Sequence, residues 1–410
     1  MKHDPMAFST HTLASGLRVF FQRRPLSFVG CTLMVHGGSR HDPEGKEELM
    51  HLLEHLLSAG TRGLPKMSLI ELERWLKLRR FDVALGETHL DYSAYRGKAA
   101  AERFPDLLGF LHGLTLEPTL DSDLEKERDI IRREREEACS PEELATDDVR
   151  KRAVFGSHRL ATVGGWADDA TLDGLTLDDA RAAHSRFYDP ANMSLIAVGG
   201  IDEEELLRIA ETAFPRRTPG YVPPERQPAP VFGIPDPREH VQRKEGRVTK
   251  MEVRYLWHLP PGERAPLMLA RNSISETLTE RIRERLRATY SVDVQDAVFQ
   301  DHRLFCVVTQ VAPKKVGIAR AIIEETMRGV AEVAAEVPRL KDEYGLALEF
   351  LELDVDETLS RAALAINAAG APRCVAEVRA ALEATPPEKV AAVMAEHLAP
   401  ERAFVELVEE

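Results

Sequence analysis

A dense run of prolines in the middle of the chain constrains the fold more than any other feature. Between Pro215 and His240, in PRRTPGYVPPERQPAPVFGIPDPREH, eight residues are proline. Each fixes its own backbone angle and removes an N–H donor, so the run supports neither a helix nor an inner strand. It reads as an extended linker. A chain of 410 residues also exceeds one typical core. The expected organisation is a domain over residues 1–214, a linker over 215–240 and a second domain over 241–410.

The two halves read as distant versions of one plan. Each opens with an extended apolar segment, LRVFFQ from Leu17 and KMEVRYLWHL from Lys250. Each continues through a helical pattern to a strand pair, VALGETHLDYSAYRG in the first and SVDVQDAVFQDHRLFCVVTQV in the second. An amphipathic helix follows, AAERFPDLLGFLHGLTL or KVGIARAIIEETMRGVAEV, and each half closes near a short β-like run, MSLIAVGG or AFVELVEE. Strands mixed with helices, without strict β-α alternation, predict an α+β fold of two homologous domains. Each would be a mostly antiparallel sheet with helices packed against it.

The composition, 43% hydrophobic and 30% charged, is that of a globular protein. The net charge of −14 argues against a nucleic-acid partner, which calls for clustered Lys and Arg. No stretch approaches the roughly 18 apolar residues of a membrane helix. The opening MKHDPMAFSTHTLASGL holds no apolar run of signal-peptide length. A cytoplasmic protein without a membrane partner is expected. Cys31, Cys139, Cys306 and Cys374 are far apart and form no C-x-x-C, so free, mostly buried thiols are expected.

The chemistry concentrates in ELMHLLEHLLSAGT, Glu48 to Thr61. On a helical wheel Leu49, Met50, Leu52, Leu53, Leu56 and Leu57 gather on one side. His51, His55, Glu54, Glu47 and Glu48 gather on the other. Residues four apart sit about 5–6 Å apart at Cβ, so two imidazoles can point at one ion. Zinc would require a third protein ligand. The same pattern also fits the wet face of an ordinary surface helix, and the third ligand decides between the two.

The segment DSDLEKERDIIRREREEA, Asp121 to Ala138, offers that ligand. Ser122 and Glu125 fit a capping box at its start. The stripe 124, 127, 131, 134 and 138 is the expected inner face, and it contains Glu127 and Glu134. Buried carboxylates are costly unless paired or bound to a metal, which singles these two out from the other acids. A solvated charged helix with a ragged stripe is the alternative.

The order of these motifs resembles the pitrilysin/insulinase family of zinc metallopeptidases, in particular its shorter bacterial members similar to mitochondrial processing peptidase. HLLEH at His51 to His55 is similar to the family's inverted H-x-x-E-H motif, and ERDIIRRE at Glu127 to Glu134 to its downstream E-R-x-x-x-x-x-E helix. RIRERLRATYSVDV in the second half resembles a family segment whose arginine and tyrosine contact substrate; Arg283 and Tyr290 match. LASGLRVFFQ and LTLDDARAAHSRFYDPANMSLIAVGGIDEEEL match as well, so the likeness covers nearly the whole chain. Two stretches depart: LKLRRFDV lacks the family's usual glycine, and the strand that follows differs as well. The strand beside the zinc, where substrate docks by strand addition, usually has an Asn-Ala pair and a Thr. Here it reads LGET, Leu85 to Thr88, with leucine in place of the asparagine and with Gly86 and Thr88 as the remaining substrate-binding candidates.

The resemblance implies one Zn2+ per chain, held by His51, His55 and Glu134 with a water in the fourth position, and Glu127 supporting a ligand. Glu54 would be the general base, and Tyr290 with Arg283 would stabilise the oxyanion. It implies an endopeptidase for peptides or unfolded segments, enclosed in a chamber of four such domains. That chamber would be a homodimer, or a heterodimer with a homologous subunit. A non-catalytic peptide-binding or scaffold subunit is the alternative function. An amidohydrolase is a further one, although the chain lacks an eight-fold β-α alternation. His36, His41, His89 and His158 have no ligand spacing and are expected to be structural or exposed.

Overall fold

The computed structural model describes residues 6–58, 67, 69–121, 123–215, 218, 220–225, 229–242, 248–258, 263–289, 291–351 and 353–409. The strands are β1 (Ser9–Thr12), β2 (Arg18–Arg23), β3 (Phe28–Val35), β4 (Asp82–Thr88), β5 (Ser93–Ala100), β6 (Met193–Gly199), β7 (Glu239–Gln242), β8 (Thr249–His258), β9 (Val292–Val298), β10 (His302–Val311) and β11 (Phe404–Glu409). The helices up to the linker are α1 (Leu49–Ser58), α2 (Leu69–Leu78), α3 (Phe104–Leu116), α4 (Leu124–Ala138), α5 (Pro141–Phe155), α6 (Asp169–Gly174), α7 (Leu177–Phe187) and α8 (Glu203–Ala213). Beyond it come α9 (Arg264–Leu278), α10 (Val316–Arg328), α11 (Val330–Ala335), α12 (Val337–Leu351), α13 (Val355–Ala369), α14 (Val375–Glu383) and α15 (Pro387–His397). No helix among the described residues is long and apolar enough to cross a membrane.

The fold is α+β and two-domain, with a six-stranded sheet in the order β1-β2-β6-β3-β5-β4 and a five-stranded sheet in the order β7-β11-β8-β10-β9. One pair in each sheet, β2 with β6 and β11 with β7, is parallel, and the other pairs are antiparallel. The chain divides into two compact units. One comprises residues 1–140, 162–227 and 352–374, the other residues 141–161, 228–351 and 375–410.

In the first unit both faces of the sheet are covered, which explains why its inner strands read as near-continuous apolar runs. Val19, Leu195 and Ala197 face a core shared with the leucines of α1 and with α3, α7 and α8. The alternate residues Phe20, Ile196 and Val198 face Val355, Leu359, Ala362, Ala363 and Ile366 of α13. Polar contacts pin the same helix. Arg24 donates to Thr358 Oγ1 at 2.8 Å, and Asn367 donates to Asp91 Oδ2 at 2.9 Å. In the second unit β8, β10 and β11 share a core with α9, α10, α12 and α15. There Thr146 of α5 donates to Gln242 Oε1 at 2.9 Å and Arg150 to Glu406 Oε2 at 3.4 Å.

These units differ from the expected division at the linker. Helix α5 precedes the linker in sequence yet belongs to the second unit, and α13 follows it yet belongs to the first. Helix α13 supplies an apolar stripe to the first sheet, whereas α5 meets the second through polar contacts, Thr146 with Gln242 and Arg150 with Glu406. Other local expectations also change. The linker region ends in a strand, because β7 pairs with β11. The amphipathic stretch after β10 is two helices, broken at Gly329. The N-cap of α4 is Asp123, which accepts from Lys126 N–H; Ser122 lies outside the described residues. None of the four cysteines is in a disulfide among the described residues; Cys139 is half-buried and the other three are buried.

Candidate metal centre

Helix α1 buries the leucine side that its periodicity marks: Leu49, Met50, Leu52, Leu53, Leu56 and Leu57. Each such side chain contributes about 1.5–3 kcal/mol on burial. That packing fixes the opposite side of the helix, where His51 and His55 stand. The N-terminus of α1 is held by Asp42. Its carboxylate accepts the N–H groups of Glu48 at 3.0 Å and Met50 at 2.8 Å. Helix α4 lies against α1 and buries Glu127 and Ile131, with Glu134 on the same stripe.

These elements bring the three expected ligands together. Among the described residues His51, His55 and Glu134 form one cluster whose ligand atoms lie within 4.8 Å of one another. The Nε2 atoms of the histidines are 3.2 Å apart, and Glu134 Oε2 is 3.4 Å from one and 3.5 Å from the other. In a tetrahedral site with bonds of about 2.0–2.1 Å, ligand atoms stand about 3.3–3.4 Å apart. The three edges therefore fit a zinc ion and leave one vertex for a fourth group.

The tautomers agree with this. His51 Nδ1 is 2.7 Å from Glu48 Oε2, and His55 Nδ1 is 3.6 Å from Glu127 Oε2. In the tautomer that metal binding requires, each Nδ1 proton faces the carboxylate beside it and both Nε2 atoms present lone pairs toward Glu134. Three converging acceptors call for a cation. In the metal-free chain a proton on His51 takes that place, and a metal would displace it. Burial opposes charge on His51, but its hydrogen bonds with Glu134 and Glu48 outweigh burial and lift its pKa to about 10. The hydrogen bond from His51 holds Glu134 below its ordinary pKa.

Glu54 is on the same helix, one residue before His55. Burial is the main influence on it and raises its pKa, against the pull of His55 and His51. Gly86 of β4 sits directly against it: a Cβ at that position would overlap the Glu54 carboxylate. Among the described residues β4 is an edge strand paired with β5 alone, with an irregularity between Ala84 and Glu87 that contains Leu85 and Gly86. Thr88 closes the strand opposite Ser93.

One acid that the sequence reading left on the wet face is at the centre instead. Glu48 is buried, only 7% exposed, with its carboxylate on His51. Its φ is +72°, a left-handed conformation that costs a non-glycine residue about 1–2 kcal/mol. The available signal in the sequence was its position three residues before His51, on the same helical face.

The remaining candidates divide. Arg283 lies in the second unit, in a π-helical turn at Thr279–Arg285, half-exposed, with Nε 3.6 Å from Glu284. Tyr290 lies outside the described residues. The other histidines have structural partners. His36 Nε2 is 2.9 Å from Ser194 Oγ, His41 accepts from Gly38 N–H at 3.2 Å, His89 Nε2 is 3.2 Å from Glu87, and His158 accepts from Leu160 N–H at 3.2 Å.

A duplicated α+β chain with a His-His-Glu cluster on paired helices defines the class of protein. Residues 18–163 match the insulinase family (peptidase family M16), and residues 174–344 match the peptidase M16 inactive domain. The chain belongs to the insulinase, or M16, peptidase family, the one its motifs resemble. It is 28% identical over 347 residues to an uncharacterised zinc protease of Streptomyces coelicolor, covering 78% of this chain and 71% of that one. It is 26% identical over 234 residues to the mitochondrial-processing peptidase subunit beta of Caenorhabditis elegans, 55% of this chain and 50% of that one. It is 29% identical over 203 residues to cytochrome b-c1 complex subunit 1 of Mus musculus, 48% and 41% of the two chains. The chain thus spans half or less of the length of these two mitochondrial relatives. Two solved structures share the fold. A protease from Helicobacter pylori aligns with a TM-score of 0.81 at 15% identity, over 98% of this chain and 99% of that one. A peptidase M16 inactive domain from Pseudomonas fluorescens aligns at 0.81 and 17% identity, over 98% of each.

Proposed function

We propose that this chain is a zinc-dependent endopeptidase that cleaves peptides or unfolded polypeptide segments. The observation that carries the reading is the convergence of His51 Nε2, His55 Nε2 and Glu134 Oε2 at 3.2–3.5 Å. Zinc, when bound there, supplies Lewis acidity and brings the pKa of water toward 7. The protein's own residues do the rest. Glu54, its pKa raised by burial, takes a proton from the attacking water and returns it to the leaving amine. Gly86 leaves the space that the Glu54 carboxylate occupies. The edge of β4 accepts an extended peptide as an added strand, which selects unfolded segments over folded ones. Arg283 and Tyr290 are part of the same proposal as substrate contacts that hold the scissile carbonyl.

We place this activity in a dimer that encloses its substrate, either of two copies or of this chain with a homologous subunit. Two relatives support it by name, one a peptidase subunit and one a subunit of a larger complex. The same names support a second reading, a non-catalytic peptide-binding subunit, as does the match of residues 174–344 to a domain described as inactive.

Hydrolysis of a quenched, unstructured peptide by the chain expressed alone separates the readings, with Glu54→Gln as control. The expected result is turnover that falls at least about 10²-fold in the variant, with bound zinc unchanged. Equal turnover in both would remove Glu54 from the mechanism. Bound zinc without turnover in either would favour the subunit reading.

A further inference from the structure

The loop from Asp42 to Glu48 enters α1 through two left-handed residues, Gly45 and Glu48, both with φ of +72°. Only one of them is a glycine. At Gly45 a side chain would meet nothing within 4 Å, so the position is open and glycine serves the backbone alone. At Glu48 the same backbone angle is forced on a buried, charged residue. The surroundings hold it there on both sides. Its N–H donates to Asp42 Oδ2 at 3.0 Å, and its carbonyl accepts from Leu52 N–H at 2.8 Å, opening the hydrogen-bond ladder of α1. A non-glycine residue kept in this region by its surroundings is a recognised sign of a functional constraint.

The side chain supplies the reason. Glu48 Oε2 stands 2.7 Å from His51 Nδ1, while His51 Nε2 faces His55 Nε2 and Glu134 Oε2 on the other side of the ring. An imidazole that gives its proton at Nδ1 keeps a lone pair at Nε2. The second histidine has a counterpart in Glu127, 3.6 Å from His55 Nδ1. Each histidine of the cluster therefore has its own carboxylate, one from α4 and one from the strained entry of α1 itself.

We propose that Glu48 is a positioning residue: its carboxylate fixes the tautomer and ring plane of His51 and presents the Nε2 lone pair to the metal. This inference rests on the zinc reading above and adds a residue to it. A glycine at 48 would relieve the backbone and lose the carboxylate, so stability and metal affinity should move independently.

The test uses the full-length chain, freed of metal and titrated with cobalt(II) against a competing chelator. Glu48→Gly should weaken cobalt binding about 10–100-fold, while the Tm of the metal-free chain does not fall. Glu48→Gln, which keeps an acceptor but no charge, should recover part of the loss. In proton NMR of the cobalt-loaded parent, two shifted exchangeable ring N–H signals are expected, one per histidine. In E48G one of them should exchange faster while the other persists. Cobalt affinity in E48G within about twofold of the parent would overturn the proposal. So would a steep fall in Tm with the affinity of the folded fraction unchanged, which is the mark of a purely structural residue. A parent chain that takes up no cobalt would overturn the zinc reading itself, and the parent measurement alone distinguishes that failure.

Discussion

Helices α1 and α9 follow equivalent strands in the two units, yet their exposed faces differ in kind. The second sheet, β7-β11-β8-β10-β9, repeats β2-β6-β3-β5-β4 strand for strand, including the parallel pair. Both helices bury an apolar side against their sheets. On the other side α1 presents His51, Glu54 and His55. Helix α9, RAPLMLARNSISETL, has no histidine and one acid, Glu276, which pairs with Arg339. The contrast repeats one helix pair later. Helix α4 buries Glu127 on its inner stripe, whereas α12 buries only Val337, Leu340 and Leu348. The second unit does contain a carboxylate–imidazole group, His397 with Glu263 at 3.1 Å and Glu396 at 3.9 Å, but it holds one histidine, and that ring stacks on Trp257 at 5.0 Å. The repeated scaffold thus needs only its apolar stripes. The His51, His55 and Glu134 cluster is an addition to the polar faces of one copy, and buried Glu127 on the second helix is what marks it.

This separation can be broken by experiment, most severely at the ligands. His55→Ala, or treatment with a chelator, should remove the metal and take peptide hydrolysis to background. Arg283→Ala should keep full metal stoichiometry while kcat falls about 10²–10³-fold, the usual loss of one transition-state donor. Metal analysis beside kinetics reads both, and loss of zinc in the Arg283 variant would contradict the proposed role of Arg283 as a substrate contact.

A smaller effect is expected at Gly86. Alanine there would push the Glu54 carboxylate aside, and displacement of a reacting group by about 1 Å can cost about 10²-fold. Metal affinity should stay at the parent value, because the atoms nearest to a Cβ at Gly86 all belong to Glu54, which is not one of the three ligands. Gly109→Ala on α3, where an added Cβ meets nothing within 4 Å, is the control and should stay fully active. Unchanged kcat in the Gly86 variant would mean that the edge strand does not constrain Glu54.

The smallest effect concerns acid stability. His41 is shielded against Phe187, and burial, the largest influence, lowers its pKa from 6.5 to about 4. The unfolded chain therefore binds a proton at this site before the native state does. Its contribution is present above pH 6.5 and is lost as pH falls toward 4. Denaturant midpoints measured across that window should decline with acid, and His41→Gln should flatten part of the slope. Parallel profiles for parent and variant would assign the acid loss to other groups.

Much of the site was readable because helical periodicity couples two sets of residues. The leucines of α1 declare which side is buried, and that alone puts His51 and His55 on one exposed line. The stripe of α4 likewise separated Glu127 and Glu134 from the flanking Glu125, Glu136 and Glu137. The wheel put Glu48 on the side of His51 but read it as wet, because nothing local reports the left-handed turn in which its carboxylate is buried. The domain boundaries escaped for a related reason. Proline density reports where the chain is extended, not which sheet face a helix covers.

By itself, then, the sequence determined the repeated α+β plan, the leucine face of α1 and the residues able to meet a metal, since local periodicity and motif spacing need no long-range information. Tertiary structure alone decided that α13 covers the first sheet and α5 the second. It alone set the His51, His55 and Glu134 ligand atoms at three vertices of a tetrahedron, and it alone held Glu48 in a left-handed turn beside His51. Each of these depends on residues distant in sequence or on a backbone angle imposed by neighbours, and neither is encoded in a local pattern.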